Sequence, residues 1–282
     1  MPIAKSGPVE GEENYFYAVY DTSMTMSTYL IALVISDYDM STVGYTSKTN
    51  TLVRVAGPLG AKNSGILEYA LDCSLNAIDF FSEYYGFNYS EPFGASGSKS
   101  DQFGIPGGTV SAMENWGLIT YDFTYLYTDI INSYEEQVMW VANTVGHELQ
   151  HMWTGNLITT SWWDEVWVSE AFAEYGGFMA LQSIEPEWNW QSEFVDYDLW
   201  AGLDYDGNVH SRPLINKQNN NGQKVETFLE IVDQFDDIAY AKGACIVRMM
   251  VYVMKEWKWQ YGMQQYLNEM KFGLTDGSIY FK

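Results

Sequence analysis

Hydrophobic and polar positions divide the chain into a strand-rich first part and a helix-rich second part. Residues 1–12 are polar, carry two prolines, and read as a loose tail. Tyr15 to Val34 is rich in Tyr, Thr, Val and Ile, the composition of strands. Thr51 to Ala56, stopped by Gly57-Pro58, predicts another strand. Within Ala70 to Tyr85 the apolar positions Leu71, Leu75, Ile78 and Phe81 recur at helical spacing. Gly94 to Gly108 is rich in Gly and Ser and predicts a loop. A strand is expected from Thr109 to Tyr121, interrupted by the polar pair Glu114-Asn115.

Beyond that point the period becomes helical. Glu135 to Trp153 predicts a long helix that stops at Gly155-Asn156, a common C-terminal signal. Ser169 to Ile184 predicts a second, closed off by Pro186. Further helices are expected over Trp190–Ala201, Tyr240–Trp257 and Gln260–Met270, and the Asn-rich run Asn219 to Gly222 reads as a surface loop. The order of strands and then helices predicts an α+β domain.

Composition agrees with a folded chain. The 282 residues are 47% hydrophobic, which allows a large core and argues against general disorder. The formal net charge of -23 excludes a nucleic-acid partner, which would need clustered Lys and Arg. It would concentrate cationic ligands such as peptide N-termini, although solubility alone accounts for it equally well. The two cysteines, Cys73 and Cys245, cannot make a disulfide framework or a cysteine zinc site, and their apolar helical settings predict buried thiols. An extracellular chain would leave a single bridge open. No signal peptide is visible, and the best apolar stretch, Tyr29 to Ile35, is too short to span a bilayer.

The chemistry concentrates in the first long helix. In His147-Glu148-Leu149-Gln150-His151 the two His lie at i and i+4, so both imidazoles can reach one ion. Glu148 is rotated by about 100° from His147, which suits it to hold a metal-bound water instead of the metal. Zinc lowers the pKa of such a water to about 7, and the carboxylate can then take its proton. A third ligand is required, and the return helix carries Glu170. His-Glu-x-x-His occurs by chance, but two of only three His in the chain sit in this pattern. The third, His210, precedes Arg212-Pro213 and reads as a surface or packing residue. Glu174, four residues after Glu170, reads as a solvated surface acid, with a hydrogen-bond acceptor for a ligand His as the alternative.

The spacing from His151 through eighteen intervening residues to Glu170 matches the gluzincin pattern. The segments Trp153-Thr154-Gly155-Asn156-Leu157 and Trp162-Trp163-Asp164-Glu165-Val166-Trp167 resemble the aminopeptidase N family of zinc metallopeptidases. Ser111-Ala112-Met113-Glu114-Asn115-Trp116-Gly117 is similar to that family's exopeptidase signature, and Phe235 to Ala244 to its catalytic-tyrosine segment. Four motifs in family order cover about residues 24 to 275.

The resemblance implies removal of one residue from a free N-terminus. Glu114 would bind the substrate's α-ammonium, while Ser111, Ala112, Met113 and Asn115 would line the substrate edge. Tyr240 would donate to the oxyanion of the tetrahedral intermediate. The cofactor implied is one Zn2+. Departures are Ser111 for the signature's first Gly, Gly146 for a usual Ala, and Ser169 and Ala171 for a flanking Asn and Gly. None removes a catalytic group, although Gly146 should weaken its helix.

The implied architecture is thermolysin-like over residues 37–282, with residues 1–36 a tail plus the last strands of an N-terminal β domain. A longer parent protein with further N- and C-terminal domains, possible homodimerisation of that full-length form, and an extracellular or membrane-anchored location are also implied. Asn88-Tyr89-Ser90 is a glycosylation sequon in keeping with that location. Two other readings stay open: a leukotriene-type epoxide hydrolase sharing the site, and a non-catalytic receptor keeping the fold. Retention of Glu148, both His, Glu170 and Tyr240 weighs against the second.

Overall fold

The computed structural model describes residues 1–108, 110–209, 211–216 and 224–278. Its first element corrects the expectation of a tail. Strand β1 (Ile3–Pro8) pairs antiparallel with β2 (Phe16–Tyr20), and Gly11 and Asn14 take positive φ in the turn between them. The strand-like composition of Tyr15 to Val34 is realised only in β2. The rest runs without a ladder up to β3 (Asp39–Met40), save one 3-10 turn at Thr28–Leu30.

Strands β3, β4 (Gly44–Tyr45) and β5 (Leu52–Gly57) begin a mixed six-stranded sheet. A short turn, α1 (Ala61–Ser64), leads into α2 (Glu68–Tyr85), which crosses over to β6 (Lys99–Ile105), parallel to β5. The predicted apolar face of α2 is buried through Leu71, Ile78 and Phe81. Strand β7 (Ala112–Met113) and β8 (Leu118–Asp122) complete the sheet, with β8 parallel to β6 and β7 antiparallel at the edge.

Strand β6 falls where a loop was expected. Its Ser100, Asp101 and Gln102 are polar and buried, so no apolar alternation marks it. Each is hydrogen-bonded, Ser100 by Gln102 Nε2 of its own strand at 2.8 Å and the other two with help from neighbouring strands. Arg54 grips Asp101 at 2.7 and 2.9 Å, Lys99 adds a third contact at 2.8 Å, and Tyr121 donates to Gln102 at 2.7 Å. Hydrogen-bonded in this way, these side chains cost little to bury.

The helical part follows the predicted periods closely. It consists of α3 (Glu135–Gln150), short β9 (Thr159–Thr160), α4 (Trp167–Ile184), α5 (Trp190–Phe194) and α6 (Trp200–Asp206). A π-helical turn at Val195–Leu199 joins the last two into one continuous rod. Then come α7 (Phe228–Val232), a second π-helical turn at Ile238–Lys242, α8 (Gly243–Met254), α9 (Glu256–Met270) and β10 (Leu274–Thr275), which pairs with β9. Lys255, at φ 74°, breaks α8 from α9 a little earlier than the sequence suggested. Asn219 to Gly222 and His210 lie outside the described residues.

Helix α4 is buried nearly all round, as a central helix should be. It meets α3 along small residues. A Cβ at Gly146 would sit 2.7 Å from Ala180 Cβ, and one at Gly177 would sit 2.9 Å from Asn143 O. Gly146 therefore gives up helix propensity to let two backbones approach. That approach brings the His-bearing face of α3 against Glu170. Cys73 is buried and Cys245 half-buried, and both are free thiols. No helix among the described residues is long and apolar enough to cross a membrane.

Candidate metal centre

Helix α3 presents His147 and His151 on one face, and α4 presents Glu170 opposite. His147 Nε2 and His151 Nε2 lie 3.1 Å apart, and Glu170 Oε2 lies 3.5 Å from the first and 3.2 Å from the second. Tetrahedral zinc with bonds near 2.0–2.1 Å spaces its ligand atoms about 3.3 Å apart. The three donors are thus set for one tetrahedral ion, and they can hold a metal together.

The outer nitrogens fix which atoms face the centre. His147 Nδ1 lies 2.9 Å from Glu174 Oε2. His151 Nδ1 lies 3.1 Å from Ser169 Oγ and 3.3 Å from Thr154 O. Acceptors on Nδ1 leave Nε2 with its lone pair toward the ion. Glu174 is therefore a partner of His147 Nδ1 and not a solvated surface acid. Helical spacing placed it on the correct face, but only the fold shows that α3 and the 195–199 turn cover it. Gly155, at φ 132°, closes the turn after His151, and a Cβ there would stand 2.7 Å from Ser169 Oγ.

Electrostatics set the groups apart. Burial raises Glu148 to about 8, against the pull of both His, and its Oε2 has no hydrogen-bond partner among the described residues. Burial would also raise Glu170, but His151 and His147 outweigh it and hold the carboxyl at about 2. His151 is lowered by burial and raised more strongly by Glu114 and Glu170, to about 9. Asp198, in the π-helical turn, is pushed well above the carboxylate range by burial and by the charge and hydrogen bond of Glu174.

Tyr240 sits in the other π-helical turn, a local form common at functional sites. Its ring stacks on His147 with centroids 6.0 Å apart. Burial and the carboxylates of Glu170 and Glu114 push its phenol well above 10, so it stays protonated. Glu114 is buried beside the same cluster, where its carboxyl is raised by burial. Its backbone O accepts from Asn156 Nδ2 at 2.9 Å. Ala112 and Met113 are half-buried in β7, and Asn115 is buried in the turn that follows. Ser111 is exposed at the strand's start.

Sequence reasoning missed Asn156, Asp198 and Tyr29, whose hydroxyl reaches Glu114. Asn156 had a signal, since it lies just past the metal-ligand helix; the other two carried none.

The fold and the triad define a metallopeptidase class, and comparison with known proteins specifies it. Residues 69–278 match the family model described as "Peptidase family M1 domain". The chain is 33% identical to aminopeptidase N of Bos taurus over 276 residues, covering 97% of this chain and 27% of that protein. It is 35% identical to endoplasmic reticulum aminopeptidase 2 of Homo sapiens over 274 residues, covering 96% of this chain and 26% of that protein. It is also 34% identical to aminopeptidase M1-B of Oryza sativa subsp. japonica over 272 residues, 96% of this chain and 29% of that protein. The chain belongs to peptidase family M1. It spans about a quarter of the length of these relatives.

Proposed function

We propose that the chain is the catalytic domain of a zinc aminopeptidase that hydrolyses the N-terminal residue from peptides. One observation carries this reading: a buried His-His-Glu triad at tetrahedral spacing beside Glu148, whose Oε2 has no hydrogen-bond partner among the described residues. His147, His151 and Glu170 would hold the ion. Zinc, when bound, supplies Lewis acidity that makes water acidic near neutral pH and polarises a carbonyl.

The remaining work falls to the chain's own groups. Glu148 would take the proton of the attacking water and pass it to the leaving amine; burial raises its carboxyl above the ordinary carboxylate range, which makes it the stronger base. Tyr240 would donate its hydroxyl hydrogen to the developing oxyanion. Glu114 would bind the α-ammonium, which internal peptide bonds lack, and Ser111, Ala112, Met113 and Asn115 would border the substrate. Residues 37–282 would form the thermolysin-like domain, with the β1–β2 hairpin as a remnant of an N-terminal β domain. The name of the human relative and the exposed Asn88 of the sequon support a secretory-pathway location.

The test is a panel of aminoacyl-arylamides, free and N-acetylated, assayed with and without a chelator. Release only from free substrates, lost with chelator and restored by zinc, is expected. Tyr240→Phe should lower kcat by about 10²–10³, as loss of one oxyanion donor does. Bound zinc with no cleavage of any substrate would favour a non-catalytic binding protein instead.

A further inference from the structure

Between β2 and β3 the chain has little regular structure, yet it delivers one side chain to the site. The 3-10 turn Thr28–Leu30 is pinned at Leu30, which is 2% exposed and whose backbone O accepts from Asn115 Nδ2 at 3.4 Å. The pin sets Tyr29 beside the neighbouring Glu114, where its hydroxyl donates to Glu114 Oε1 at 3.2 Å. The Tyr29 ring meets Trp163 edge-on at 5.1 Å, and Trp163 in turn lies 6.0 Å from the Phe235 ring. A rigid aromatic wall thus holds the hydroxyl in place.

Glu114 is held from three directions. Asn156 binds its backbone O, the side chain of the adjoining Asn115 donates to Leu30 O, and Tyr29 occupies one carboxylate oxygen. A Glu side chain left alone rotates broadly at its last torsion. A donor on one oxygen fixes the carboxylate plane and directs the other oxygen, the precision a charged recognition site needs.

We propose that Tyr29 is a positioning residue of the substrate-ammonium site, orienting the Glu114 carboxylate through its hydroxyl. This rests on the reading of Glu114 given above. It assigns to the stretch before β3 a supporting part in recognising the free N-terminus. Tyr29 touches Glu114 and acts through it; it takes no part in the bond-breaking step.

Two hydroxamates test it on the zinc-loaded 282-residue chain. Leucine hydroxamate carries the α-amine, and 4-methylpentanohydroxamate lacks it; calorimetry gives both affinities. The wild-type chain should prefer the amine-bearing compound, and Glu114→Ala should abolish that preference. Tyr29→Phe keeps the ring and its contact with Trp163. It should reduce the preference by about tenfold, the scale of losing a hydrogen bond to a charged group. Affinity for the des-amino compound and zinc content should not change, which also controls for folding. If Tyr29→Phe keeps the full preference, or weakens both compounds equally, the proposal is overturned while the Glu114 assignment stands. If the wild-type chain shows no preference, the Glu114 assignment fails and takes this proposal with it.

Discussion

Asp101 in the sheet and Glu148 in α3 are both buried carboxylates, but their surroundings differ. Arg54 and Lys99 meet both oxygens of Asp101. Burial would raise that carboxyl, yet these partners hold it below its ordinary value. Glu148 has two His nearby, keeps one buried oxygen without a hydrogen-bond partner among the described residues, and is raised to about 8. A paired buried charge maintains structure, because removing either side strands the other. An unpaired one costs stability and is retained where chemistry needs a proton acceptor.

The contrast is breakable. The largest expected effect is on turnover: Glu148→Gln should lower kcat by about 10²–10⁴, the usual contribution of a general base. Zinc content should stay constant and Tm should hold or rise, since the neutral amide escapes the burial cost that raises the carboxyl. A clear loss of Tm would put Glu148 in the same structural class as Asp101. Asp101→Asn should cost about 3 kcal/mol in urea unfolding, by leaving Arg54 and Lys99 without their anion. Zinc binding by the remaining folded protein should be unaffected.

The same pair has a pH signature. The folded pKa of Asp101 lies below its ordinary 3.8, so its contribution is present above about pH 4 and lost as pH falls through the folded value. The stability gap between wild type and Asp101→Asn should therefore narrow below about pH 4. A gap that stays constant to pH 2 would deny the ion pair its role.

A smaller effect is expected one bond beyond the metal. Glu174→Ala should weaken zinc affinity by about 10–100-fold, read by competition with a chelator dye, because His147 loses its Nδ1 acceptor. The smallest concerns packing between α3 and α4. Gly146→Ala gains about 1 kcal/mol of helix propensity. Overlap with Ala180 Cβ should cost about 1–3 kcal/mol, leaving a net loss near 1 kcal/mol. A more stable variant would show that the helices can separate freely.

Helix α2 was legible because its apolar period survives burial on one side, and α3, buried over most of its length, was legible from its stop at Gly155-Asn156 and its His spacing. The metal triad was legible because two ligands share one helical face and the third follows at a family spacing. Strand β6 was not, since its buried Ser100, Asp101 and Gln102 are satisfied by partners such as Arg54, 47 residues away. No local pattern encodes that. Glu174 was legible as a position but not as an environment, and Tyr29 is one Tyr of 22 with nothing around it to single it out.

By itself, then, the sequence determined that His147 and His151 share one helical face and can reach one ion, because i and i+4 spacing is local geometry. The tertiary structure alone decided how those side chains are tuned and held. Proton acceptors on both His, the small-residue contact of α3 with α4, and the reach of Tyr29 to Glu114 all depend on segments distant in the chain. Burial and long-range hydrogen bonds exist only once those segments meet.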